Sequence, residues 1–128
     1  MEYPTYSVYN SEEISEEMII KDSETVISYL INKCKVSLDR LLLVGRSLGT
    51  GPACWLSTQY KAAALILVSP FTSIKEVAEE HYGIFGKLLI KDRFNNLENI
   101  KRTKCPTLII HGLEDQLVPY KHAQKLSG

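Results

Sequence analysis

The chain has 128 residues, a length that suits one small domain, and 45% of its residues are apolar, which is enough to form a core. Its formal net charge is zero, so electrostatic attraction gives no reason to expect nucleic acid or an anionic membrane as a partner. It contains no apolar run long enough to span a bilayer. Its first residues, Met1-Glu2-Tyr3-Pro4, are acidic and polar and are not typical of a signal peptide.

The cysteines and histidines do not indicate a metal centre. The three cysteines are an odd number without a Cys-x-x-Cys pair, which favours reduced thiols in or near the core and an intracellular, cytoplasmic protein. The three histidines are not spaced with them as zinc ligands would be. We therefore expect no metal and no cofactor. The residues concerned are Cys34, Cys54, Cys105, His81, His111 and His122.

The first long element is an amphipathic helix. Residues 3–9 are aromatic and polar and are typical of the end of a strand and a loop. Asn10 or Ser11 can then cap a helix whose first turn holds two glutamates. Apolar residues at helical spacing predict that this helix covers residues 12–34: they are Ile14, Met18, Val26, Leu30 and Ile31.

The next segment combines a strand, a tight turn and a helix. Residues 41–44 are Leu-Leu-Leu-Val, an unbroken apolar run typical of a strand buried on both faces. Gly45, Ser47 and Gly49 then form Gly-x-Ser-x-Gly, and helix-compatible residues follow to about Tyr60. In this context the motif predicts a nucleophile elbow with Ser47 in a strained conformation and the Leu48 N–H as an oxyanion donor. The alternative is a tight turn with a purely structural role.

Two other uses of these glycines fail on spacing. A phosphate-binding loop requires Gly-x-x-x-x-Gly-Lys followed by Ser or Thr, and no lysine follows Gly49 or Gly51. A dinucleotide-binding fingerprint requires a third glycine where this chain has Cys54, and an acid about twenty residues further on, where none occurs. Arg46 is expected at the solvent edge, and Trp55 is expected in the core.

The rest of the chain alternates strands with helices, which predicts a parallel sheet. Residues 62–68 form a second apolar strand that ends at Ser69-Pro70, and residues 73–81 have helical composition. Residues 83–99 are irregular, with mixed helix and loop. A third strand covers residues 107–110 and is followed by His111-Gly112-Leu113-Glu114-Asp115, and a last helix begins near Tyr120.

Three segments together resemble the α/β-hydrolase superfamily: GRSLG after the first strand, LILVSPFTSI at the second, and TLIIHGLEDQLVP at the third. The resemblance covers nearly the whole chain and is strongest to the Bem46-like branch, which includes proteins similar to protein depalmitoylases. It implies one partial α/β-hydrolase core over residues 1–128, with a parallel sheet of about three strands and flanking helices. It also implies Ser47 as nucleophile and Asp115 as the acid that orients the catalytic histidine, with Glu114 as the alternative acid.

The chain departs from that family in three places. The family's tyrosine-glycine-tyrosine-glycine turn stands here as Tyr3-Pro4-Thr5-Tyr6-Ser7, without its glycines. The family's first strands and oxyanion loop precede the point where this sequence starts, which leaves only the Leu48 N–H as an oxyanion donor. The family's last strand and its catalytic histidine lie beyond the point where this sequence stops.

None of the three histidines is expected to replace the missing base. His111 belongs to the His-Gly-x-x-Asp pattern itself and is expected to be structural. His122 follows Asp115 too closely to return over the serine and is expected to be exposed on the last helix. His81 lies between strands, in a segment that can face the pocket, but no motif singles it out.

The sequence therefore leaves three interpretations open. The first is a serine hydrolase of acyl esters or thioesters, with protein depalmitoylation as the activity implied by the branch, present here as a truncated and inactive core. The second is a non-catalytic interaction protein that retains the hydrolase core. The third is a fragment without a function of its own.

The crossover rule makes a further prediction about the two faces of the sheet. Helices between successive parallel strands fall on one face, so the opposite face is expected to be bare and apolar. We expect that face, or the edge of the first strand, to be buried against another copy of the chain. The first helix folding across the gap is the alternative.

Overall fold

The computed structural model describes residues 15–128. The predicted segment at residues 3–9, its turn, and the predicted caps Asn10 and Ser11 lie outside these residues. Helix α1 spans Glu16–Asn32, and the Ser15 side chain caps it by accepting a hydrogen bond from the Met18 N–H at 3.1 Å. The predicted amphipathic helix is therefore present, and its described part ends two residues before the expected end.

Three parallel strands form the sheet of the described chain, in the order β1-β2-β3. They are β1 (Leu42–Arg46), β2 (Ala64–Val68) and β3 (Thr107–Ile110). Arg46, Val68 and Ile110 are partners in register, so the strands end level with one another. The Ser69 N–H donates to the Ile110 carbonyl at 2.8 Å and extends the ladder by one residue. The residues that directly follow the three strands therefore lie at the same end of the sheet, where the strands have their carboxyl ends.

Four helices follow the first strand. They are α2 (Thr50–Gln59), α3 (Ile74–Leu89), α4 (Asn96–Ile100) and α5 (Lys121–Ser127). Within α3 the backbone of Gly83 is non-helical, with φ 65° and ψ −161°, so this segment is two helices that meet at a kink. The part before Gly83 corresponds to the predicted helical segment 73–81. The segment predicted as mixed helix and loop, residues 83–99, holds the part of α3 after the kink, a loop, and α4 except for its last residue, Ile100. No helix within residues 15–128 is both long and apolar enough to cross a bilayer.

One face of the sheet carries the main core. Leu43, Leu65 and Leu67 point to this face, and Ile27 of α1 and Leu56 of α2 pack against them. Trp55 packs against the same cluster, as expected. Helices α1 and α2 therefore cover the same side of the sheet, so residues 16–32 do not fold across to the other side. A second cluster lies beyond the strand ends and consists of Ile19, Phe71, Phe94 and Val118.

The opposite face is apolar and largely open. Along β1 the side chains alternate between buried and exposed, so the prediction that this strand is buried on both faces is wrong for the described chain. The exposed side chains of this face belong to β1 and β3: Leu42 is 59% exposed, Val44 63%, Leu108 53% and Ile110 49%. This is the bare face that the crossover rule predicts.

Candidate active site

Ser47 occupies a strained turn directly after β1. Its φ is 48°, in the left-handed region that costs a non-glycine residue about 1–2 kcal/mol. A short 3₁₀ turn, Ser47–Gly49, then leads into α2. A side chain at Gly45 would place Cβ 2.4 Å from the Gly49 carbonyl oxygen, which explains why this position is a glycine. The predicted unfavourable backbone angle of Ser47 is therefore confirmed, and the strand, turn and helix context of the motif is present.

Leu48 is the predicted oxyanion donor and directly follows Ser47. Its backbone follows Ser47 in the first turn of the helical segment, where N–H groups have no partner within the helix. The positive end of the α2 dipole lies at the same point, which favours negative charge beside Ser47. The role of the Leu48 N–H in binding an oxyanion stays a prediction.

Buried polar contacts hold the serine turn in place. The Thr50 hydroxyl donates to the Ser47 carbonyl at 2.6 Å. The Asn96 amide donates to the Phe71 carbonyl at 3.0 Å and to the Thr50 hydroxyl at 3.4 Å, and Asn96 is fully buried. Asn96 thus connects the serine turn to the loop after β2. Sequence reasoning missed this residue because it lies in a stretch without a motif.

Asp115 lies in the loop that follows β3. Its Oδ1 accepts the backbone N–H of Val118 at 2.9 Å and that of Leu117 at 3.0 Å. The Val118 N–H, then the Ser69 hydroxyl and the Leu117 N–H, hold the pKa of Asp115 below its usual 3.8. The side chain is therefore ionised at neutral pH, which the acid of a catalytic triad requires. Glu114, the alternative acid, is exposed.

Ser47 and Asp115 lie at the same end of the sheet. Ser47 comes one residue after the end of β1, and Asp115 comes five residues after the end of β3, with β2 between the two strands. Neighbouring strands are about 4.8 Å apart, so the two strand ends are separated by roughly 10 Å. This arrangement has the sheet order that the proposed roles need, although the roles themselves stay predictions.

Each of the three histidines contacts a residue other than Ser47. The His111 Nε2 donates to the Val118 carbonyl at 2.7 Å, and Asp115 Oδ2 is further from it, at 3.7 Å. His81 is exposed and its Nε2 lies 2.8 Å from the Leu117 carbonyl oxygen. The prediction that His122 is exposed is wrong, because its side chain is 0% exposed and its Nδ1 contacts Thr72. Helix α5 packs this histidine inward, a placement that its position in the sequence did not reveal.

The three cysteines differ in their surroundings. Cys54 is buried, and burial, with Cys105 nearby, raises the pKa of its thiol to about 12. Cys105 is half-buried, and burial raises its pKa as well. Cys34 is exposed, so the prediction of a core or near-core position is wrong for this residue. Within residues 15–128, no cluster of three or more His, Cys, Asp or Glu side chains could hold a metal ion.

The chain belongs to a family of known proteins. The serine turn on a parallel sheet, followed by an acid loop at the same edge, defines the class of α/β hydrolases. The family model described as the prolyl oligopeptidase family matches residues 15–127, and the chain belongs to this family. The resemblance to the α/β-hydrolase superfamily is thereby confirmed.

Relatives by sequence carry related names. The chain is 32% identical over 123 residues to alpha/beta hydrolase domain-containing protein 17B of Homo sapiens, covering 94% of this chain and 42% of that protein. It is 32% identical over 108 residues to alpha/beta hydrolase domain-containing protein aho-3 of Caenorhabditis elegans, covering 84% of this chain and 32% of the relative. The chain thus spans less than half the length of these relatives.

Solved structures confirm the fold. A puromycin-hydrolyzing peptidase of Mycobacterium tuberculosis superposes with a TM-score of 0.67 at 20% identity, over 84% of this chain and 18% of that one. An acylaminoacyl peptidase of Pyrococcus horikoshii gives the same TM-score and identity, over 88% of this chain and 21% of the other. The described part of the chain therefore corresponds to part of a larger α/β-hydrolase fold, as the sequence predicts.

Proposed function

We propose that this chain carries the nucleophile and the acid of a serine hydrolase that acts on carboxylic esters or thioesters. One observation carries the proposal: Ser47 keeps a left-handed φ of 48° directly after β1, at the sheet edge where ionised Asp115 also lies. Strained backbone positions of this kind cluster at active sites, where the strain is part of the mechanism. Membership of a hydrolase family supports the same reaction class.

The reaction proceeds in two halves. The Ser47 oxygen attacks the acyl carbonyl carbon while a base takes the hydroxyl proton, and the Leu48 N–H donates to the oxyanion. The bond to the leaving group then breaks, and the alcohol or thiol leaves with that proton. Water attacks the acyl-serine in the same way, releasing the carboxylic acid and restoring Ser47. Asp115 orients the base by accepting its second ring N–H.

The base is an imidazole that none of the three histidines of this chain supplies. Each of them contacts a residue other than Ser47: His111 contacts Val118, His81 contacts Leu117, and His122 contacts Thr72. We therefore expect residues 1–128 alone to hydrolyse activated esters at a negligible rate. Members of a triad act as a unit, and losing the histidine costs several orders of magnitude.

Exposed apolar side chains next to the site support an acyl substrate. Leu48 adjoins the nucleophile and is 39% exposed, while Leu113 and Leu117 flank the acid and are 76% and 66% exposed. Their positions suit contact with the hydrocarbon part of an acyl group. Removal of a fatty acyl chain from a protein thioester is the specific form of the proposal that these residues favour.

Chemical rescue tests the proposal directly. Free imidazole is added as the missing base, and p-nitrophenyl butyrate hydrolysis by residues 1–128 is measured against Ser47→Ala, whose rate contains the reaction of imidazole in solution. We expect the original chain to show an imidazole-dependent rate above that of Ser47→Ala, and this excess should be strongly reduced in Asp115→Asn. Asp92→Asn, at an exposed carboxylate outside the acid loop, is the control and should retain the rate. Equal rates in the original chain and Ser47→Ala would contradict the proposal.

A non-catalytic interaction protein is the second candidate. The observation that favours it is the open sheet face, which exposes Leu42, Val44, Leu108 and Ile110. Exposed apolar patches of this kind mark interaction surfaces in folded proteins. Failure of imidazole rescue, together with association of the chain through this face, would favour this second candidate.

A further inference from the structure

A buried histidine lies behind the acid loop and takes no part in the proposed reaction. His122 is fully buried in α5. Its Nδ1 accepts the backbone N–H of Thr72 at 3.2 Å and lies 2.8 Å from the Thr72 hydroxyl. An acceptor at Nδ1 requires the proton of the neutral ring to be on Nε2. The histidine therefore satisfies a buried backbone N–H in the loop that follows β2.

Charged side chains of two helices surround the ring. The His122 Nε2 faces Glu80 Oε1 of α3 at 3.4 Å without making a hydrogen bond. Lys121 pairs with the same carboxylate at 2.8 Å, and Lys125 pairs with Glu76 at 2.9 Å. Burial, and then Lys125 and Lys121, lower the pKa of His122 against the opposing effect of Glu80 and Glu76. The ring is thus kept neutral and able to accept at Nδ1.

The loop after β2 connects His122 to the acid. Ser69 begins this loop with φ 47°, and its hydroxyl helps to lower the pKa of Asp115. Phe71 packs in one apolar cluster with Val118, whose N–H donates to the Asp115 carboxylate. Thr72 then contacts His122. One short loop therefore contacts the acid, the segment beside the acid, and the helix that follows it.

We propose that His122 is a positioning residue that fixes the Asp115 carboxylate by anchoring α5 and the acid loop to Thr72. This inference rests on the proposed function for its purpose, since a fixed carboxylate matters for orienting a base. The contacts of His122 from which it is argued do not depend on that function. Without an acceptor at Nδ1, the buried Thr72 N–H loses its partner, which costs about 1–3 kcal/mol and is relieved by moving the loop. That movement also alters the Ser69 and Val118 contacts to the carboxylate.

The test measures the ionisation of Asp115 by NMR titration of its carboxyl carbon. His122→Leu removes the acceptor, and we expect the pKa of Asp115 to rise toward its usual 3.8. His122→Asn places an amide oxygen near the former Nδ1 and should restore a lowered pKa. Leu126→Ala is the matched control, because Leu126 is buried on the same helix and its side chain has no hydrogen-bond acceptor for Thr72. It should lower stability and leave the pKa of Asp115 unchanged.

An unchanged Asp115 pKa in folded His122→Leu would overturn the inference, and so would an equal rise in Leu126→Ala. If His122→Leu does not fold, Thr72→Val is titrated instead. It removes only the hydroxyl contact and should give a smaller rise in the same direction, and no rise would overturn the inference. The measurement needs no catalysis, so its failure would leave the imidazole rescue of ester hydrolysis to decide the proposed function separately.

Discussion

Gly45 is the position where the serine turn tolerates change least. In Gly45→Ala the new Cβ would lie 2.4 Å from the Gly49 oxygen, 2.8 Å from the Gly49 carbonyl carbon and 2.8 Å from the Thr50 Cα. All three atoms are backbone, so no side chain can rotate away to relieve the contact. Either β1 must separate from the first turn of α2, or the turn that holds Ser47 must open.

The expected cost follows from two opposing effects. Overpacking of this kind costs about 1–3 kcal/mol, and rigid backbone neighbours place Gly45→Ala at the upper end. Replacing glycine also restricts the conformations of the unfolded chain, which stabilises the folded state by about 0.4–1 kcal/mol. The net loss in the free energy of unfolding is therefore about 2 kcal/mol. With a denaturant slope of about 1–2 kcal/mol per molar urea, the unfolding midpoint should fall by about 1–2 M.

Urea unfolding followed by the fluorescence of Trp55 measures this loss, because Trp55 packs against the core cluster. Gly112→Ala is the matched control, since a Cβ there meets only the Asp115 Cβ, at 4.0 Å. We expect the control to change stability by about 0.5 kcal/mol or less. Equal midpoints for Gly45→Ala and Gly112→Ala would refute the close approach of strand and helix on which the serine turn depends.

Four further predictions concern other parts of the chain. Ser47→Gly should stabilise the fold by about 0.5–1 kcal/mol relative to Ser47→Ala, because φ 48° suits glycine; equal stability would contradict the strain. Cys34 should react with a maleimide in the folded protein while Cys54, with a pKa of about 12, should not; mass spectrometry would show the reverse if their placements were wrong. Residues 1–128 should self-associate at micromolar concentration through the open sheet face, and Val44→Lys should weaken this in light scattering; a stable monomer would contradict the prediction. Because burial lowers the pKa of His122 from 6.5, the unfolded chain binds more protons, so stability should be full above pH 6.5 and fall as pH decreases below it; a pH-independent urea midpoint in this range would count against this.

The strands and the serine turn are predictable from the sequence because their signals are local. An apolar run of four or five residues between turn residues suffices to place a strand, and β3 has the predicted bounds. The Gly-x-Ser-x-Gly motif places a tight turn because of the close approach at Gly45, a contact between residues only four apart. Only the resemblance of its loop to a known family singles out Asp115 as the candidate acid, since its neighbours alone do not distinguish it from Glu114.

The supporting contacts are not predictable in this way because they join distant segments. Asn96 contacts Thr50 and Phe71, which lie 46 and 25 residues away, and nothing in its own neighbourhood signals those contacts. His122 contacts Thr72, 50 residues away, and its position in a short terminal helix suggested exposure. In α3 the predicted break is present, because Gly83 has a non-helical backbone where the two parts of the helix meet.

We propose above all that Ser47 is the nucleophile and that Asp115 orients the base that activates it. Labelling with a fluorophosphonate in the presence of imidazole, followed by peptide mapping, tests this claim most directly. We expect one phosphonylated residue, Ser47, with labelling that depends on imidazole and decreases strongly in Asp115→Asn. Labelling that is spread over other serines, or that Ser47→Ala does not abolish, would contradict it.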